Sequence, residues 1–279
     1  MKTSSAPTPV SADGVTSALV DCFERMVSAL GPAALTKLRG DAFLMITGVP
    51  VPALNTALTV RASAAATDVA ALLDEAATSG MPYSIQVRPG CDQSLIEVIE
   101  ARALAADHPT PLMAFEPDLG ELRQAAAHPD LSVRALAPHE AELHAAVAAA
   151  GFEVPVEWFR QLIPDGVLSL PGVRAYVGTA GGELVTTAFG VSGGDYVGIF
   201  NVATPVRHRG RGFGAAITAR VALDGLEAGA RYAYLQSSSM GFAVYERLGF
   251  RTIENWATWA GGPSHSSSPA THEDSTSGR

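Results

Sequence analysis

The stretch Arg209-Gly210-Arg211-Gly212-Phe213-Gly214 lies between a predicted apolar strand, residues 196–203, and a predicted amphipathic helix. The first turn of a helix has backbone N–H groups without partners, and the helix dipole places partial positive charge there. Glycines let a ligand approach the backbone closely, and the neighbouring arginines add positive charge. The stretch therefore predicts a phosphate or pyrophosphate site at the N-terminus of the helix.

Two common phosphate motifs do not fit this glycine segment. A Walker loop would continue into Gly-Lys-Ser or Gly-Lys-Thr, and the dinucleotide-binding fingerprint spaces its three glycines differently. A glycine-rich turn with solvated arginines is the structural alternative, and the segment alone leaves that alternative open.

A second informative stretch follows the next predicted strand, residues 232–235. A polar turn leads to a short predicted helix that carries Tyr245, and Gly249 stands at the position typical of a helix C-cap. A helical tyrosine usually packs against a core with its hydroxyl at the surface, so Tyr245 alone has both a structural and a catalytic interpretation.

Together, the two stretches resemble the GNAT-type N-acetyltransferase superfamily. The glycine segment is similar to its Arg/Gln-x-x-Gly-x-Gly/Ala cofactor motif, and Tyr245-Glu246-Arg247-Leu248-Gly249-Phe250 is similar to its second signature. The order and spacing match over about Leu131 to Trp259. The resemblance implies an α+β fold, with a mixed and mostly antiparallel sheet flanked by helices, and an acyltransferase that moves an acetyl group from acetyl-CoA to an amine acceptor.

The resemblance also implies roles for individual residues. The strand before the glycine segment would separate from its neighbour and offer backbone groups to the pantetheine arm, and Tyr245 would protonate the departing thiolate. The amine would attack the thioester directly, so the site mainly supplies proximity and orientation. The implied cofactor-binding residues are Val202, Ala203, Thr204, Arg209, Gly210, Arg211, Gly212, Phe213, Gly214, Ala215 and Ser238, and no metal is implied.

The sequence departs from the family pattern in two ways. Ser238 stands where many relatives carry an asparagine seven residues before the tyrosine, although its hydroxyl can still donate and accept hydrogen bonds. No carboxylate is identifiable as the general base. Glu183 and Asp195 are candidates near predicted strand ends, where solvated turn residues are the commoner use, and a water chain is the alternative.

Residues 15–128 carry no comparable motif, but their predicted elements echo the second half. Hydrophobic spacing predicts helices at 19–30, 67–79 and 93–106 and strands at 42–46, 57–60, 83–87 and 111–115. This order fits a tandem arrangement with a degenerate acetyltransferase-like N-terminal half, and an unrelated α/β accessory domain is the alternative. The segment after Val60 has no glycine, so no cofactor is predicted there. This half is expected to pack against the catalytic half and to form one side of the acceptor site.

The polar, proline-bounded segment 116–129 is the predicted boundary, so residues 129–260 form the predicted catalytic domain. Residues 1–14 and 261–279 are rich in small and polar residues and are predicted to be disordered. Predicted hairpin turns at Gly181–Gly182 and Gly193–Gly194 favour antiparallel pairing within the second half.

Composition limits the classes of function. The net charge of -9 argues against a nucleic-acid-binding surface. Cys22 and Cys91 are too few for a disulfide framework or a metal cluster. No stretch approaches the roughly 18 apolar residues of a membrane span, and the N-terminus lacks the apolar region of a signal peptide. The expected protein is therefore cytoplasmic, without nucleic-acid or membrane partners, and a homodimer is compatible with the sequence.

Three functions fit these features. The leading hypothesis is acetylation of a small-molecule amine, and the alternatives are acetylation of a protein N-terminus or lysine and a non-catalytic acyl-CoA-binding regulatory module. The presence of Tyr245 counts against the third function, whereas the unassigned base counts for it. Phe152, Trp158 and Phe159 are predicted either to line an apolar acceptor pocket or to pack in the core.

Overall fold

The computed structural model describes residues 10–116 and 119–262. The helices are α1 (Ala12–Val27), α2 (Ala66–Thr78), α3 (Gln93–Glu100), α4 (Leu119–Ala126), α5 (Ala141–Phe152), α6 (Val156–Leu162), α7 (Asp165–Leu168), α8 (Phe213–Glu227) and α9 (Phe242–Arg247). The strands are β1 (Leu35–Arg39), β2 (Ala42–Ile46), β3 (Asn55–Thr59), β4 (Tyr83–Val87), β5 (Ala105–Phe115), β6 (Ser132–Ala135), β7 (Val173–Ala180), β8 (Glu183–Gly193), β9 (Tyr196–Ala203), β10 (Tyr232–Gln236) and β11 (Arg251–Gly261).

The strands form one sheet in the order β1-β2-β3-β4-β11-β5-β10-β9-β8-β7-β6. The two halves of the chain lie on opposite sides of the central β11–β5 pair. The pairs β3–β4 and β9–β10 are parallel, and the other pairs are antiparallel. A mixed and mostly antiparallel sheet flanked by helices confirms the predicted fold class.

The two halves exchange their last strands. β11, from the second half, pairs with β4 of the first half, where Ala257 faces Val87. β5, from the first half, pairs with β10 of the second half, where Leu112 faces Gln236. The part of the sheet formed by each half is thus completed by a strand of the other half, and the predicted division at residues 128 and 129 stays a prediction.

Strand alternation divides the core between the two faces of the sheet. On one face, α1, α5, α6 and α7 pack with residues that include Phe43 and Tyr234. On the other face, α2 and α3 pack around Leu44, and α4, α8 and α9 pack around Leu235. We call these the α1 face and the α8 face.

Local sequence signals account for several element boundaries. Ser11 Oγ accepts a hydrogen bond from the Gly14 N–H at 3.1 Å and caps α1, so residues 12–14 are helical although they were predicted to be disordered. Gly261 was also predicted to be disordered, but it ends β11 and faces Tyr83 of β4. Predicted disordered residues 1–9 and 263–279 lie outside the described part of the chain. Gly181 and Gly182 have φ of 57° and 84°, which fits the predicted two-residue hairpin.

The prediction was wrong between residues 101 and 110. The helix expected to continue to residue 106 ends at Glu100, and β5 begins at Ala105 rather than at residue 111. Long-range pairing with β11, where Trp256 faces Thr110, overrides the local helical preference of this alanine-rich segment. Prolines are tolerated there because β5 pairs with β10 only from Leu112 onward.

Three elements were not predicted: β1, α7 and α4, the last of which lies within the segment interpreted as the boundary. No helix in residues 10–116 or 119–262 has the length and apolar character needed to cross a lipid bilayer.

Candidate functional site

The sheet opens between β9 and β10. These parallel strands pair from Tyr196 and Tyr232 only as far as Gly198 and Tyr234, and residues 199–203 then continue without a partner on the β10 side. A bulge accompanies the divergence, with Asn201 at a φ of 50°. In the first half, the corresponding strands β3 and β4 stay paired to within one residue of their ends.

The glycine segment follows the diverging end of β9 and leads directly into α8. Gly210 and Gly212 have φ of 76° and 80°, a backbone conformation that strongly favours glycine. Among the described residues, the backbone N–H groups from Gly210 to Ala215 have no hydrogen-bond partner. The N-terminus of α8 therefore offers an array of free donors together with the positive end of a helix dipole.

Arg209 supports this segment from behind. Its Nε donates to the Thr204 carbonyl oxygen at 3.0 Å, and its Nη2 donates to the Gly151 carbonyl oxygen at 2.7 Å. The guanidinium thus ties the end of β9 to the end of α5. The role of Arg209 as a cofactor-binding residue stays a prediction. Its observed contacts show that it holds the loop after β9 in position.

Arg211 has a different environment. Its guanidinium carbon lies 4.6 Å from the centroid of the Phe213 ring, so the charge rests on an aromatic face beside the free amides. The Arg211 carbonyl oxygen lies 2.9 Å from Nε2 of His128, whose ring packs edge-on against Phe213. These contacts hold the backbone of the segment while the guanidinium remains exposed.

Tyr245 lies on α9, which follows the diverging end of β10. Its ring packs edge-on against Phe250 with a centroid distance of 6.2 Å. Burial raises the pKa of the hydroxyl to about 12, so the hydroxyl is protonated at neutral pH. In the described part of the chain, no hydrogen-bond partner occupies this hydroxyl, which leaves its proton available for a ligand. Ser238 Oγ accepts from the Gly241 N–H at 3.2 Å and steadies the turn before α9.

The two predicted motifs therefore follow the carboxyl ends of the two strands that separate. The glycine segment and α8 follow β9, α9 follows β10, and both helices cover the α8 face. Open α/β sheets bind ligands beyond the carboxyl ends of parallel strands, where neighbouring connections diverge. A pyrophosphate bound to the free amides fits this arrangement, with the rest of an extended ligand lying in the opening.

The two carboxylates considered as bases lie near opposite ends of β9. Asp195 precedes β9 and forms an ion pair with Arg231 at 3.2 Å, at the end of the strand opposite to the opening. Glu183 is exposed and lies 3.7 Å from Arg207 and 3.6 Å from Nε2 of His208. Neither carboxylate contacts Tyr245 or Ser238.

The aromatic residues near α6 have mixed roles. Phe159 is buried in the α1-face core, whereas Phe152 is exposed and stacks on it at 5.6 Å between centroids. Trp158 is partly buried against the same core. Gln161 of α6 donates to the Thr47 carbonyl oxygen at 3.3 Å, so a loop of the first half lies beside this helix.

Sequence reasoning missed three polar features. His144 of α5 is fully buried, with Nδ1 bonded to Thr187 Oγ1 at 2.7 Å and Nε2 without a partner. A lone histidine in an alanine-rich helix was the only available signal. Two contacts that join the halves, Arg88 with Glu254 and Gln86 with Gln236, have no local signature. Within the described ranges, no three His, Cys, Asp or Glu side chains are grouped to hold a metal ion.

Comparison with solved structures shows which fold this is. A GCN5-related N-acetyltransferase from Kribbella flavida is similar with a TM-score of 0.64 and 20% identity, over 91% of this chain and 97% of that chain. A GCN5-related N-acetyltransferase from Sphaerobacter thermophilus has a TM-score of 0.52 and 16% identity, over 91% and 94% of the two chains. No protein-family profile and no curated protein sequence matches the chain.

A tandem GNAT protein from the clavulanic acid biosynthesis pathway is also similar, with a TM-score of 0.54 and 15% identity. The similarity covers 92% of this chain and 98% of that chain, so both halves take part in it. The chain therefore has the fold of the GCN5-related N-acetyltransferases. Its two halves form a tandem arrangement of that fold, which confirms the resemblance at the level of the fold.

Proposed function

We propose that this protein is an N-acetyltransferase that moves the acetyl group of acetyl-CoA to the primary amine of a small molecule. The observation that carries the proposal is the position of the free amides of residues 210–215 at the carboxyl end of the β9–β10 opening. Free amides at a helix N-terminus bind phosphate oxygens, and the cleft gives a thioester arm a path between the two strands.

When bound, acetyl-CoA supplies an acetyl group already activated as a thioester. Residues 210–215 bind the pyrophosphate through backbone N–H groups, and Arg211 adds an exposed positive charge. The backbone of Val202 lies in the part of β9 that has no partner on the β10 side, and it is available to orient the arm. Arg209 keeps these elements in register through Thr204 and Gly151.

Tyr245 stabilises the leaving group. An aliphatic thiol has a pKa of roughly 8.5, below the value of about 12 for the Tyr245 hydroxyl, so complete proton transfer from tyrosine to sulfur is unfavourable. The hydroxyl therefore acts as a hydrogen-bond donor toward charge that develops on sulfur. Asp195 lies at the far end of β9, and Glu183 is paired with Arg207 and His208, so we assign removal of the amine proton to a water chain.

Thermal unfolding with and without acetyl-CoA tests the proposal. At about 100 times its dissociation constant, the ligand should stabilise the fold by about 2.7 kcal/mol, a shift of several degrees. The variant Gly214→Asp should abolish this shift. A Cβ at residue 214 meets its nearest neighbour at 3.6 Å, and an acid in the first helical turn stabilises α8 while it repels a pyrophosphate.

Gly31→Asp is the matched control. It adds the same charge at a glycine with nothing within 4 Å of the new Cβ, so it should retain the full shift. Absence of a shift in the parent at millimolar acetyl-CoA would overturn the proposal. Thiol release that depends on an added amine separates an enzyme from a protein that only binds acyl-CoA.

A further inference from the structure

The β9–β10 opening has two flanks on the α1 face, Phe200 of β9 and Gln236 of β10. Both residues are partly buried, and the ring of Tyr234 lies 6.2 Å from the ring of Phe200. Helices α8 and α9 and the glycine segment cover the opposite face. An acceptor that approaches the opening from the α1 face would meet these two side chains.

Gln236 does not stand alone at this entrance. Its Nε2 donates to Oε1 of Gln86 at 2.7 Å, although β11 and β5 lie between β10 and β4 in the sheet. Gln86 belongs to the first half of the chain and is only 7% exposed. The entrance to the site in the second half is thus built partly by the first half.

The glutamine pair has unused hydrogen-bonding capacity. In the described ranges, the Gln86 amide nitrogen and the Gln236 carbonyl oxygen have no partner. Both atoms are accessible to solvent. In the described ranges, Nε2 of His144 is the only side-chain nitrogen or oxygen that is both fully buried and without a hydrogen-bond partner. Reversing both amides would exchange their roles and still leave one free donor and one free acceptor.

Arg88, two residues after Gln86, is already paired. The Arg88 guanidinium donates to both carboxylate oxygens of Glu254, to Asp13 and to the Val60 carbonyl oxygen. It is therefore not free to bind a carboxylate. Phe200 adds an apolar wall, since its ring lies 6.1 Å from that of Phe23 on α1. The entrance combines an aromatic surface with a neutral donor and acceptor.

We infer that Gln86 and Gln236 form the acceptor-recognition site and select a primary amine that carries a carboxamide or peptide group beside an aromatic group. A free donor and a free acceptor complement the C=O and N–H of an amide, whereas a carboxylate finds no unpaired cation in this pair. The inference rests on the proposed function, because it concerns the acceptor side of the same opening.

The test uses three matched amines: phenylalaninamide, phenylalanine and phenethylamine. Binding to the full chain is measured by calorimetric titration without acetyl-CoA, and KM is measured afterwards with acetyl-CoA present. The parent should bind phenylalaninamide about tenfold more tightly than either of the other amines. Gln86→Met and Gln236→Met keep side-chain length but remove the amide, and each should reduce this preference to about twofold or less.

Gln124→Met is the matched control, because Gln124 is exposed on α4, and it should keep the parental preference. Acetyl-CoA affinity should be the same in all four proteins. If Gln86→Met fails to fold, Gln236→Met at its more exposed position decides the same point.

Equal binding of the three amines by the parent, or an undiminished preference in the folded variants, would overturn the inference. If the parent does not bind acetyl-CoA, the proposed function is overturned instead. The direct amine titration would still decide the role of the glutamine pair in that case.

Discussion

Arg88, which directly follows β4, and Glu254 of β11 form a two-point ion pair across the junction of the two halves. Arg88 Nε lies 2.8 Å from Glu254 Oε2, and Nη2 lies 2.9 Å from Oε1. Arg88 is only 5% exposed, and its Nη1 also donates to Asp13 of α1 at 2.7 Å. Trp256 donates to the same carboxylate, so both charges of the pair have further partners. In the first half, this ionic network lies at the end of the parallel strands β3 and β4. At the corresponding place in the second half, the strands β9 and β10 separate.

Arg88→Ala is expected to destabilise the fold by about 3–5 kcal/mol, because it leaves the carboxylate of Glu254 partly buried without its counter-charge. The free energy of unfolding from urea titrations measures this loss. The double variant Arg88→Met, Glu254→Leu should recover part of it, since no unpaired charge then remains in the interior.

Arg160→Ala provides the comparison for that loss. Arg160 also forms a bidentate ion pair, with Nε 2.8 Å from Glu142 Oε2 and Nη2 2.6 Å from Glu142 Oε1. Both of these side chains are about half exposed. This substitution should cost less than about 1 kcal/mol. Similar losses for Arg88→Ala and Arg160→Ala would contradict the view that burial makes the Arg88 pair important.

Tyr245→Phe is expected to lower the rate of amine-dependent thiol release about 100-fold while the affinity for acetyl-CoA changes little. The ring still packs on Phe250, so the fold is retained. In the parent, the pKa of about 12 predicts that ionisation of this hydroxyl causes no loss of rate between about pH 8 and pH 10. Steady-state kinetics over that range measure both effects, and an unchanged rate in the variant would remove Tyr245 from the mechanism.

Substitution of Arg209 should mainly lower the stability of the fold, whereas substitution of Arg211 should mainly lower the affinity for acetyl-CoA. Arg209→Ala breaks two charged hydrogen bonds to backbone carbonyls and should destabilise the fold by about 1–3 kcal/mol. Arg211→Ala should leave stability within about 1 kcal/mol but weaken acetyl-CoA binding, and the weakening should shrink as salt increases. Urea unfolding and calorimetric titration at two salt concentrations separate these roles, and the reverse pattern would exchange them.

The sequence predicted the elements whose causes lie in contiguous residues. The glycine segment, α8 and the helix of Tyr245 depend on local spacing, so they could be located before the structure was known. The exchange of β5 and β11 could not, because it joins segments that have no local pattern in common. Arg88 and Glu254 are 166 residues apart, and Gln86 and Gln236 are 150 residues apart. Such pairs follow from the tandem arrangement of the sheet, which the local pattern of either half does not contain.

His144 should make the protein sensitive to mild acid. Its Nδ1 bonds to Thr187 while the rest of the ring packs between Phe159 and Phe189, and burial lowers the pKa of the imidazole to about 4. The folded state therefore holds the neutral form, and unfolding returns the ring to a pKa of roughly 6.5. This stabilisation is fully present above about pH 6.5 and is lost as pH falls toward 4, with a slope of about 1.4 kcal/mol per pH unit.

Carboxylates also titrate toward the lower end of this range, so the contribution of His144 has to be obtained by difference. His144→Gln keeps a polar group that can reach Thr187 but removes the titration, and its free energy of unfolding should fall less steeply with pH between 6.5 and 4 than that of the parent. His108→Gln, at an exposed position on β5, should keep the parental slope. If the His144→Gln and parental curves run parallel over that interval, the imidazole does not have to take up a proton during acid unfolding, and the acid sensitivity must then be assigned to the carboxylates.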